Sequence, residues 1–475
     1  MFFGREVQMG ELKSLWRKRT SSLVVVSGRR RIGKSTLVEK FAAESSCDFV
    51  EIAGLAPDKD MTNEKQLANF CERLSVQTSA PVSVADGWPK AFDALFEATR
   101  KADRLVIFLD EISWMGRYDT SFAAYLKNAW DIQFSKRPNL VFVLAGSVSS
   151  WIHDNIQKSR GFVGRISLDM VLGELTLGQS RRFWGELAER TSVRDVLDML
   201  SITGGVPKYL EEIDPALTVA ENVRKLCFTP DGYLFKDFDS IFSDVFGEST
   251  VAKRTILTAL AAGPASVSEI AERTELDLNG RITDELRDLT VAGFVAAANG
   301  LNPSTGKPVR EVRYRLRDNY MRFYLKYIEP RKMAVEDGLY RFADLESLSG
   351  WETTLGLQFE NLILNNLSSL APHLGLGRSI VTSAAPYARR GGRKGGVQVD
   401  LLVQTEKSVC LVEIKRRKRI GVEIEEEVKS RLSKLGVRRG VSKRTALVYD
   451  GVLAPEVIDG GYFDFIVPAA ELLNA

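Results

Sequence analysis

The 475-residue sequence has few of the residues that support metal centres or disulfides. Its four cysteines are far apart and form no CxxC or disulfide pattern, and two histidines, His153 and His373, are too few for an imidazole-based metal centre. This composition argues against a zinc protein and favours a reducing compartment. No apolar run approaches the roughly 18 residues that span a membrane. We therefore expect a cytoplasmic protein with no membrane partner.

An excess of charge of one sign is also lacking. Lysine and arginine number 65 against 62 aspartates and glutamates, which gives a formal net charge of +3. This balance excludes a uniformly basic nucleic-acid coat protein, so any contact with nucleic acid has to be local. At roughly 150 residues per domain, the length predicts about three domains.

Four regions with different patterns follow one another along the chain. Residues 1–176 alternate unbroken apolar runs with helical stretches, which is typical of a parallel sheet covered by helices on both faces. Residues 177–248 predict a helical lid. Residues 249–335 predict three helices and a hairpin, the elements of a winged helix-turn-helix. Residues 336–475 predict a further α/β domain with the order helix, strand, hairpin, helix, strand.

The segment "GRRRIGKS" fits the phosphate-loop pattern GxxxxGK[ST] and stands between an apolar strand and a helix. In such a loop, backbone N–H groups and the helix N-terminus attract phosphate oxygens. Lys34 would reach the β- and γ-phosphates, and Ser35 would bind Mg²⁺. A glycine turn before an ordinary helix is the alternative. The predicted nucleotide-binding residues of the loop are Gly28, Arg29, Arg30, Arg31, Ile32, Gly33, Lys34, Ser35 and Thr36.

Three later segments predict the rest of a nucleotide-hydrolysing site. The run "RLVIFLDE" delivers two carboxylates to the end of a strand, where open α/β sheets bind ligands; we assign Asp110 to Mg²⁺ and Glu111 to the attacking water. Ser147 ends another strand, and its hydroxyl could contact the γ-phosphate or be a turn serine. Arg165 could stabilise the transition state or lie on the surface.

The order of these motifs resembles AAA+-type ATPases, and more narrowly a prokaryotic family close to the STAND-like NTPases. The quoted segments "FFGRE", "GRRRIGKSTL", "FLDEI", "TGGVPKYL" and "YRLRDNYMRFYLKYIEP" run in that order from Phe2 to Pro330. The resemblance implies that residues 4–6 lie beside the adenine and that Pro207 lies near the nucleotide. A helix stop explains the glycines and proline of "GGVP" equally well.

The predicted winged helix is ambiguous as a reader of DNA. Its recognition helix carries Arg281 and Arg287 among three acidic residues, which would repel phosphates. The wing is more basic and suits phosphate contact, although winged helices also dock other protein surfaces. The basic wing residues are Lys307, Arg310, Arg313 and Arg315.

The segment "VQVDLLVQTEKSVCLVEIKRRKR" predicts a β-hairpin that turns at residues 406 and 407. A symmetric hairpin would place Asp400 opposite Glu413 and Gln398 opposite Lys415, all on one face. Two opposed carboxylates repel each other unless a cation joins them, so we assign both to a divalent metal and the lysine to a water or phosphate. A charged hairpin without a metal is the alternative.

An upstream helix supplies a third carboxylate, Glu360, beside its apolar stripe, where burial is costly unless a partner is present. With the helix–strand–hairpin order, this set resembles the PD-(D/E)XK nuclease superfamily; Gln398 stands where relatives often have an acid. The surrounding charges favour a phosphate ligand. The basic runs are Arg389, Arg390, Arg393 and Lys394; Arg416, Arg417, Lys418 and Arg419; and Arg438, Arg439, Lys443 and Arg444.

The expected fold class is therefore a multidomain α/β protein: a P-loop NTPase parallel sheet with helical lid, a winged helix, and a C-terminal restriction-endonuclease-like domain. We expect ATP and Mg²⁺ as cofactors, with Mn²⁺ possible at the hairpin, and nucleic acid, DNA first, as the partner. The leading hypothesis is an ATPase that controls a Mg²⁺-dependent endonuclease. The alternative is an ATP-dependent switch or scaffold that would form a homo-oligomer on ATP binding and whose last domain is inactive and only binds DNA or protein.

Overall fold

The computed structural model describes residues 2–147, 150–246, 250–276, 280–376, 379–389, 391 and 395–474. The chain divides into two compact units. The first consists of Met1–Glu174, Ser240–Glu248 and Val291–Gly293, and the second of Leu175–Asp239, Ser249–Thr290 and Phe294–Ala475. Within the described residues, no helix is both long and apolar enough to cross a membrane. All four cysteines are free thiols.

The first unit is built on a five-stranded parallel sheet with the order β2-β3-β4-β1-β5. Its strands are β1 (Ser22–Gly28), β2 (Asp48–Ala53), β3 (Leu105–Asp110), β4 (Leu140–Gly146) and β5 (Ile166–Leu172). Every residue of β1 and β4 is buried. The unbroken apolar runs therefore confirm the predicted parallel sheet, because both faces of its central strands are covered.

Helices pack on both faces of this sheet. Alternate residues of β1 belong to two separate apolar cores: Leu23 and Val25 pack with one set of helices, and Val24 and Val26 with another. The helices are α1 (Glu6–Leu15), α2 (Lys34–Glu44), α3 (Asn63–Thr78), α4 (Trp88–Ala98), α5 (Ile112–Met115), α6 (Phe122–Ile132) and α7 (Ser150–Ile152). The carboxyl ends of the parallel strands consequently share one open edge of the sheet, where ligands bind in such folds.

The second unit begins with helices and a small antiparallel sheet. The helices are α8 (Leu177–Arg181), α9 (Val193–Thr203), α10 (Pro207–Glu211), α11 (Val219–Cys227), α12 (Tyr233–Phe246), α13 (Thr250–Ala261), α14 (Val267–Thr274) and α15 (Gly280–Val291). The division assigns α12 from Ser240 onward, and Val291 of α15, to the first unit. The strands β6 (Ala265–Ser266), β7 (Val295–Ala298) and β8 (Arg313–Leu316) have the order β6-β8-β7. A capping box between Ser266 and Glu269 starts α14.

A mixed five-stranded sheet completes the second unit, with the order β13-β12-β11-β10-β9. Its strands are β9 (Val381–Arg389), β10 (Val397–Thr405), β11 (Ser408–Ile420), β12 (Ser442–Leu453) and β13 (Phe465–Pro468). Strands β9, β10 and β11 pair antiparallel, and β11, β12 and β13 pair parallel. The accompanying helices are α16 (Asn319–Phe323), α17 (Lys332–Glu336), α18 (Trp351–Asn365), α19 (Leu367–Leu370), α20 (Glu423–Lys434), α21 (Pro455–Asp459) and α22 (Ala469–Leu473).

The hairpin between β10 and β11 has the predicted symmetry over four residue pairs, from Gln404–Val409 to Leu401–Val412. At Asp400 the β10–β11 ladder ends and the pairing of β10 with β9 shifts register. Asp400 therefore does not form the expected ladder pair with Glu413. A bulge of this kind redirects a side chain, and sequence symmetry alone does not reveal it.

Candidate functional site

The phosphate loop connects β1 to α2 in the first unit. Gly28 has to be glycine, because a Cβ there would come within 2.8 Å of the Leu172 carbonyl oxygen. Gly33 has φ +87° and precedes the first turn of α2. The Lys34 Nζ donates to the carbonyl oxygens of Gly28 (3.1 Å) and Arg29 (3.3 Å). The buried lysine thus lies across the loop, where it can meet phosphate oxygens.

Two oxygen ligands suited to Mg²⁺ meet beside this loop. The Ser35 Oγ donates to Asp110 Oδ2 at 2.6 Å, although the two residues are 75 positions apart in sequence. Hydroxyl and carboxylate oxygens are hard ligands that Mg²⁺ accepts together with phosphate and water. The residues present therefore fit the ion that the sequence implied.

Glu111 occupies a strained position next to Asp110. Its backbone is left-handed (φ 47°, ψ 48°), which for a non-glycine residue costs on the order of 1 kcal/mol or more. Its carboxylate accepts a hydrogen bond from the Ser147 backbone N–H at 3.3 Å. Burial raises the pKa of Glu111, and the nearby Lys34 opposes that rise. Ser147 thus contacts Glu111 through its main chain, while the contact of its hydroxyl with the γ-phosphate stays a prediction.

Arg165 lies away from this cluster within the first unit. It immediately precedes β5, whose first residue, Ile166, pairs with Leu23 at the start of β1. The phosphate loop follows the other end of β1, roughly 17 Å along the strand at 3.3 Å per residue. The Arg165 guanidinium binds both carboxylate oxygens of Asp131, at 2.6 and 2.8 Å. This ion pair lowers the pKa of Asp131 to about 2.

Pro207 is the first residue of α10 and belongs to the second unit. The glycines before it have a local explanation. Gly204 has φ +61°, and a Cβ on Gly205 would collide with the carbonyl oxygen of Leu175. The Leu175 N–H in turn donates to Gly205 at 2.8 Å. Backbone packing thus accounts for the glycines of "GGVP", while a nucleotide role for Pro207 stays a prediction.

Arg5 has a contact that sequence reasoning missed. Its Nη2 donates to the carbonyl oxygens of Ile32 (3.0 Å) and Gly173 (2.7 Å), and burial lowers its pKa to about 10. The arginine therefore braces the backbone of the phosphate loop against the chain that follows β5. The "FFGRE" segment was the available signal, but the resemblance implied only the adenine.

The hairpin cluster of the second unit is held together by ion pairs. Glu413 is 1% exposed and accepts bonds from Lys415 Nζ, at 3.0 Å, and from Arg431. Lys415 also donates to Glu427 at 3.1 Å. Glu413 and Lys415 share a face, as their spacing predicted, and that face meets α20. Glu427 and Arg431, one helical turn apart on α20, were not foreseen.

The geometry of this cluster does not fit a divalent cation. Both oxygens of Glu413 are engaged by positive side chains, and Asp400 Oδ2 accepts the Ile414 N–H at 3.0 Å. Nowhere in the described part of the chain do three or more histidine, cysteine, aspartate or glutamate side chains form a group that could hold a metal. Lys415 and Arg431 supply the positive charge that we expected from Mg²⁺ or Mn²⁺.

Glu360 lies beside the cluster rather than within its ion pairs. Burial, followed by the negative charge of Asp400, raises the pKa of Glu360 to about 7. Burial also raises the pKa of Asp400. The side chain of Glu360 lines a cavity of about 120 Å³, together with Gln398. The structure thus brings the third predicted acid close to Asp400, without a shared metal geometry.

The basic residues near the hairpin do not form one surface. Arg416 is buried in an ion cluster with Asp198 and Glu352. Arg417 and its followers lie at the end of β11, whereas Lys443 lies at the start of the parallel strand β12, opposite Val409. These two runs therefore lie at opposite ends of the sheet. Arg390, Arg393 and Lys394 fall outside the described residues.

Residues of the predicted wing bond to other protein groups of the second unit. Arg313 pairs with Glu269, and Arg315 donates to Asn361 and Asn365 in α18. The wing tip bonds to the loop after α20 through Ser304 Oγ and the Gly436 carbonyl, at 2.9 Å. Two of the four wing cations predicted for phosphate contact therefore hold protein groups.

Comparison with known proteins assigns the front of the chain. Residues 2–213 match the family described as an ATPase domain predominantly from Archaea, so this part is an archaeal-type ATPase domain. An uncharacterised protein of Methanocaldococcus jannaschii is 23% identical over 363 residues, which is 76% of each chain.

Two solved structures are among those to which the chain is similar. A Walker-type ATPase of Pyrococcus abyssi is 16% identical, with a TM-score of 0.47, and the match covers 68% of this chain and 96% of that one. The ORC2 protein of Aeropyrum pernix is 15% identical, with a TM-score of 0.43, and the match covers 69% of this chain and 95% of that one.

Proposed function

We propose that the chain hydrolyses ATP at the open edge of its parallel sheet. The observation that carries this proposal is the hydrogen bond from Ser35 to Asp110, which joins the phosphate loop to the carboxylates at the end of β3. Lys34 neutralises the β- and γ-phosphates, and Glu111 orients and polarises the attacking water. Mg²⁺ held by Ser35 and Asp110 would neutralise charge on the phosphates.

Variants of the two central residues test this proposal. Lys34→Ala should abolish turnover, because the Lys34 ammonium lies across the loop where the β- and γ-phosphates bind. Glu111→Gln should retain ATP binding but lower turnover by at least about 100-fold, as the loss of a positioned general base does. Lys40→Ala is the matched control, since this exposed lysine lies on the same helix, α2. Turnover by Lys34→Ala or Glu111→Gln at the rate of the control would overturn the assignments.

We further propose that residues 249–335 form a winged helix and that the mixed sheet is a nuclease-like domain that binds without cutting. Three helices with a three-stranded sheet support the first identification. The pairing of buried Glu413 with Lys415 and Arg431 favours the inactive alternative over a Mg²⁺-dependent endonuclease. Exposed cations such as Arg417 and Lys443 favour nucleic acid as the bound partner.

A cleavage assay separates the two alternatives. Supercoiled, linear and single-stranded DNA would be incubated with the protein, ATP, and Mg²⁺ or Mn²⁺. We expect binding that weakens with salt and no cleavage above that of an Asp400→Ala control. Metal-dependent cleavage by the parent that the control lacks would establish the endonuclease interpretation instead.

A further inference from the structure

The cavity beside Glu360 lies entirely within the second unit. It is bounded by β8, α18, β9 and β10, and it encloses about 120 Å³. The cavity is partly open to solvent, so the edge of a planar ligand can enter it while the rest of the ligand stays outside. The side chains that define its chemistry are Arg313, Tyr314, Arg315, Glu360, Tyr387 and Gln398.

Glu360 contributes an acceptor that the protein leaves unused. Among the described residues, none donates a hydrogen bond to its carboxylate, although burial raises its pKa to about 7. A buried carboxylate without donors is unfavourable by itself. A ligand that brings N–H donors into the cavity therefore offsets the free-energy cost of leaving this carboxylate without a hydrogen-bond donor.

The arginines of the cavity are held in place by other groups. Arg313 donates to the Pro264 carbonyl at 2.8 Å and pairs with Glu269. Arg315 is oriented by two asparagines of α18, and its charge opposes the rise in the pKa of Glu360. A fixed positive charge therefore lies near the unused carboxylate, so the cavity offers a hydrogen-bond acceptor and a positive charge together.

Guanine matches this pair of groups better than the other bases. Its edge carries two adjacent N–H donors, N1–H and N2–H, which a carboxylate accepts together. Its O6 and N7 acceptors are the atoms that arginine binds in DNA recognition. Adenine, cytosine and uracil lack two adjacent ring and amino N–H donors of this kind.

We propose that this cavity binds a guanine ring through its N1–H and N2–H edge. The guanine can come from a free nucleotide or from an unpaired position in nucleic acid; only the second source rests on the proposed nucleic-acid binding. Glu360 would then be a recognition residue rather than a metal ligand.

Calorimetric titration with GMP and IMP tests the proposal, because IMP lacks only the N2 amino group. The full chain with Lys34→Ala is used, which weakens phosphate binding at the ATPase site. We expect GMP to bind at least about tenfold more tightly than IMP, the loss of roughly one buried hydrogen bond. Glu360→Gln should abolish this difference in affinity. Glu406→Gln, which changes an exposed glutamate at the turn between β10 and β11, should preserve it.

A second pair of ligands identifies the source. Hairpin oligonucleotides with a single unpaired guanosine or inosine would be titrated into the same proteins. Tighter binding of the guanine-containing member of either pair supports the guanine site, and the pair that shows it identifies the source of the guanine. Equal affinities within both pairs, or discrimination that survives Glu360→Gln, would overturn the proposal. ATP turnover by the parent chain is measured separately, so failure here leaves the ATPase assignment unaffected.

Discussion

The ion pair between Glu413 and Arg431 allows a direct test of whether the hairpin cluster is structural or a metal site. The perturbation is Arg431→Met, which keeps much of the side-chain volume and removes the guanidinium. Glu413 is 1% exposed, so its carboxylate stays buried and retains only Lys415 as a charged partner. Breaking a buried pair costs about 3 to 5 kcal/mol, and the remaining lysine places the expected loss near the lower limit, about 3 kcal/mol.

Differential scanning calorimetry measures this loss as a change in melting temperature. For a large domain each kcal/mol moves the midpoint by about 2 °C, so we expect a fall of about 6 °C. The control is Arg417→Met, because Arg417 is largely exposed and lies 3.8 Å from its acidic partners. Exposed pairs contribute at most about 1 kcal/mol, and this variant should melt within about 2 °C of the parent.

Adding Mg²⁺ or Mn²⁺ to the Arg431→Met protein separates the two interpretations. If the cluster is structural, the ions leave the melting temperature unchanged. If the carboxylates form a metal site that Arg431 masks, an ion at 100 times its Kd restores about 2.7 kcal/mol. An Arg431→Met protein as stable as the parent without metal would refute the reasoning from the buried ion pair.

Three further predictions follow from contacts of single residues. Arg5→Met should lower ATP affinity by about tenfold, because Ile32 and Gly173 lose a shared donor worth about 1 to 2 kcal/mol; nucleotide titration measures this, and unchanged affinity would contradict the bracing role. Glu360→Gln should remove a pH dependence of stability, because a folded pKa of about 7 against 4.5 makes the neutral form the stable one. In urea unfolding at several pH values, the free energy of unfolding of the parent should fall by about 3 kcal/mol as pH rises from 4.5 to 7, and that of the variant should not. Parallel pH profiles of the two proteins would contradict this. Arg165→Ala should leave ATP affinity unchanged, because Arg165 lies far from the phosphate loop, and should slow turnover only when copies of the chain associate. Turnover measured at several protein concentrations tests this. A loss of ATP affinity in dilute protein would contradict the location of Arg165 away from the loop.

The front of the chain was predictable because its signals are local. An apolar run without alternation already specifies a strand with both faces covered, and GxxxxGK[ST] specifies a strand–loop–helix path. The left-handed backbone of Glu111 was not predictable, since nothing in "FLDEI" requires it. Ser147 was located correctly at a strand end, but the backbone contact with Glu111 depends on where β4 stops relative to β3.

Only the part of the hairpin cluster that follows from a symmetric β10–β11 hairpin was predictable from the sequence. A turn at residues 406 and 407 fixed four pairs and the common face of Glu413 and Lys415. The shift at Asp400 and the partners on α20 arise from tertiary packing, which sequence spacing does not encode. The metal assignment stays a prediction for the same reason: opposed carboxylates need positive charge, and the sequence does not say whether an ion or an arginine supplies it.

Strand β11 joins this cluster to a second ion network through consecutive residues. Lys415 points toward α20, so its neighbour Arg416 points to the opposite face, where it binds Asp198 of α9 at 2.6 Å. Burial raises the pKa of Asp198 to about 6, and Arg416 is itself only 2% exposed. Separating α9 from β11 would therefore break a buried ion pair, which costs several kcal/mol even though Arg416 keeps Glu352 as a partner. A displacement of α9, the helix that leads into "GGVP", has to carry β11 with it and so reaches Glu413 and Lys415.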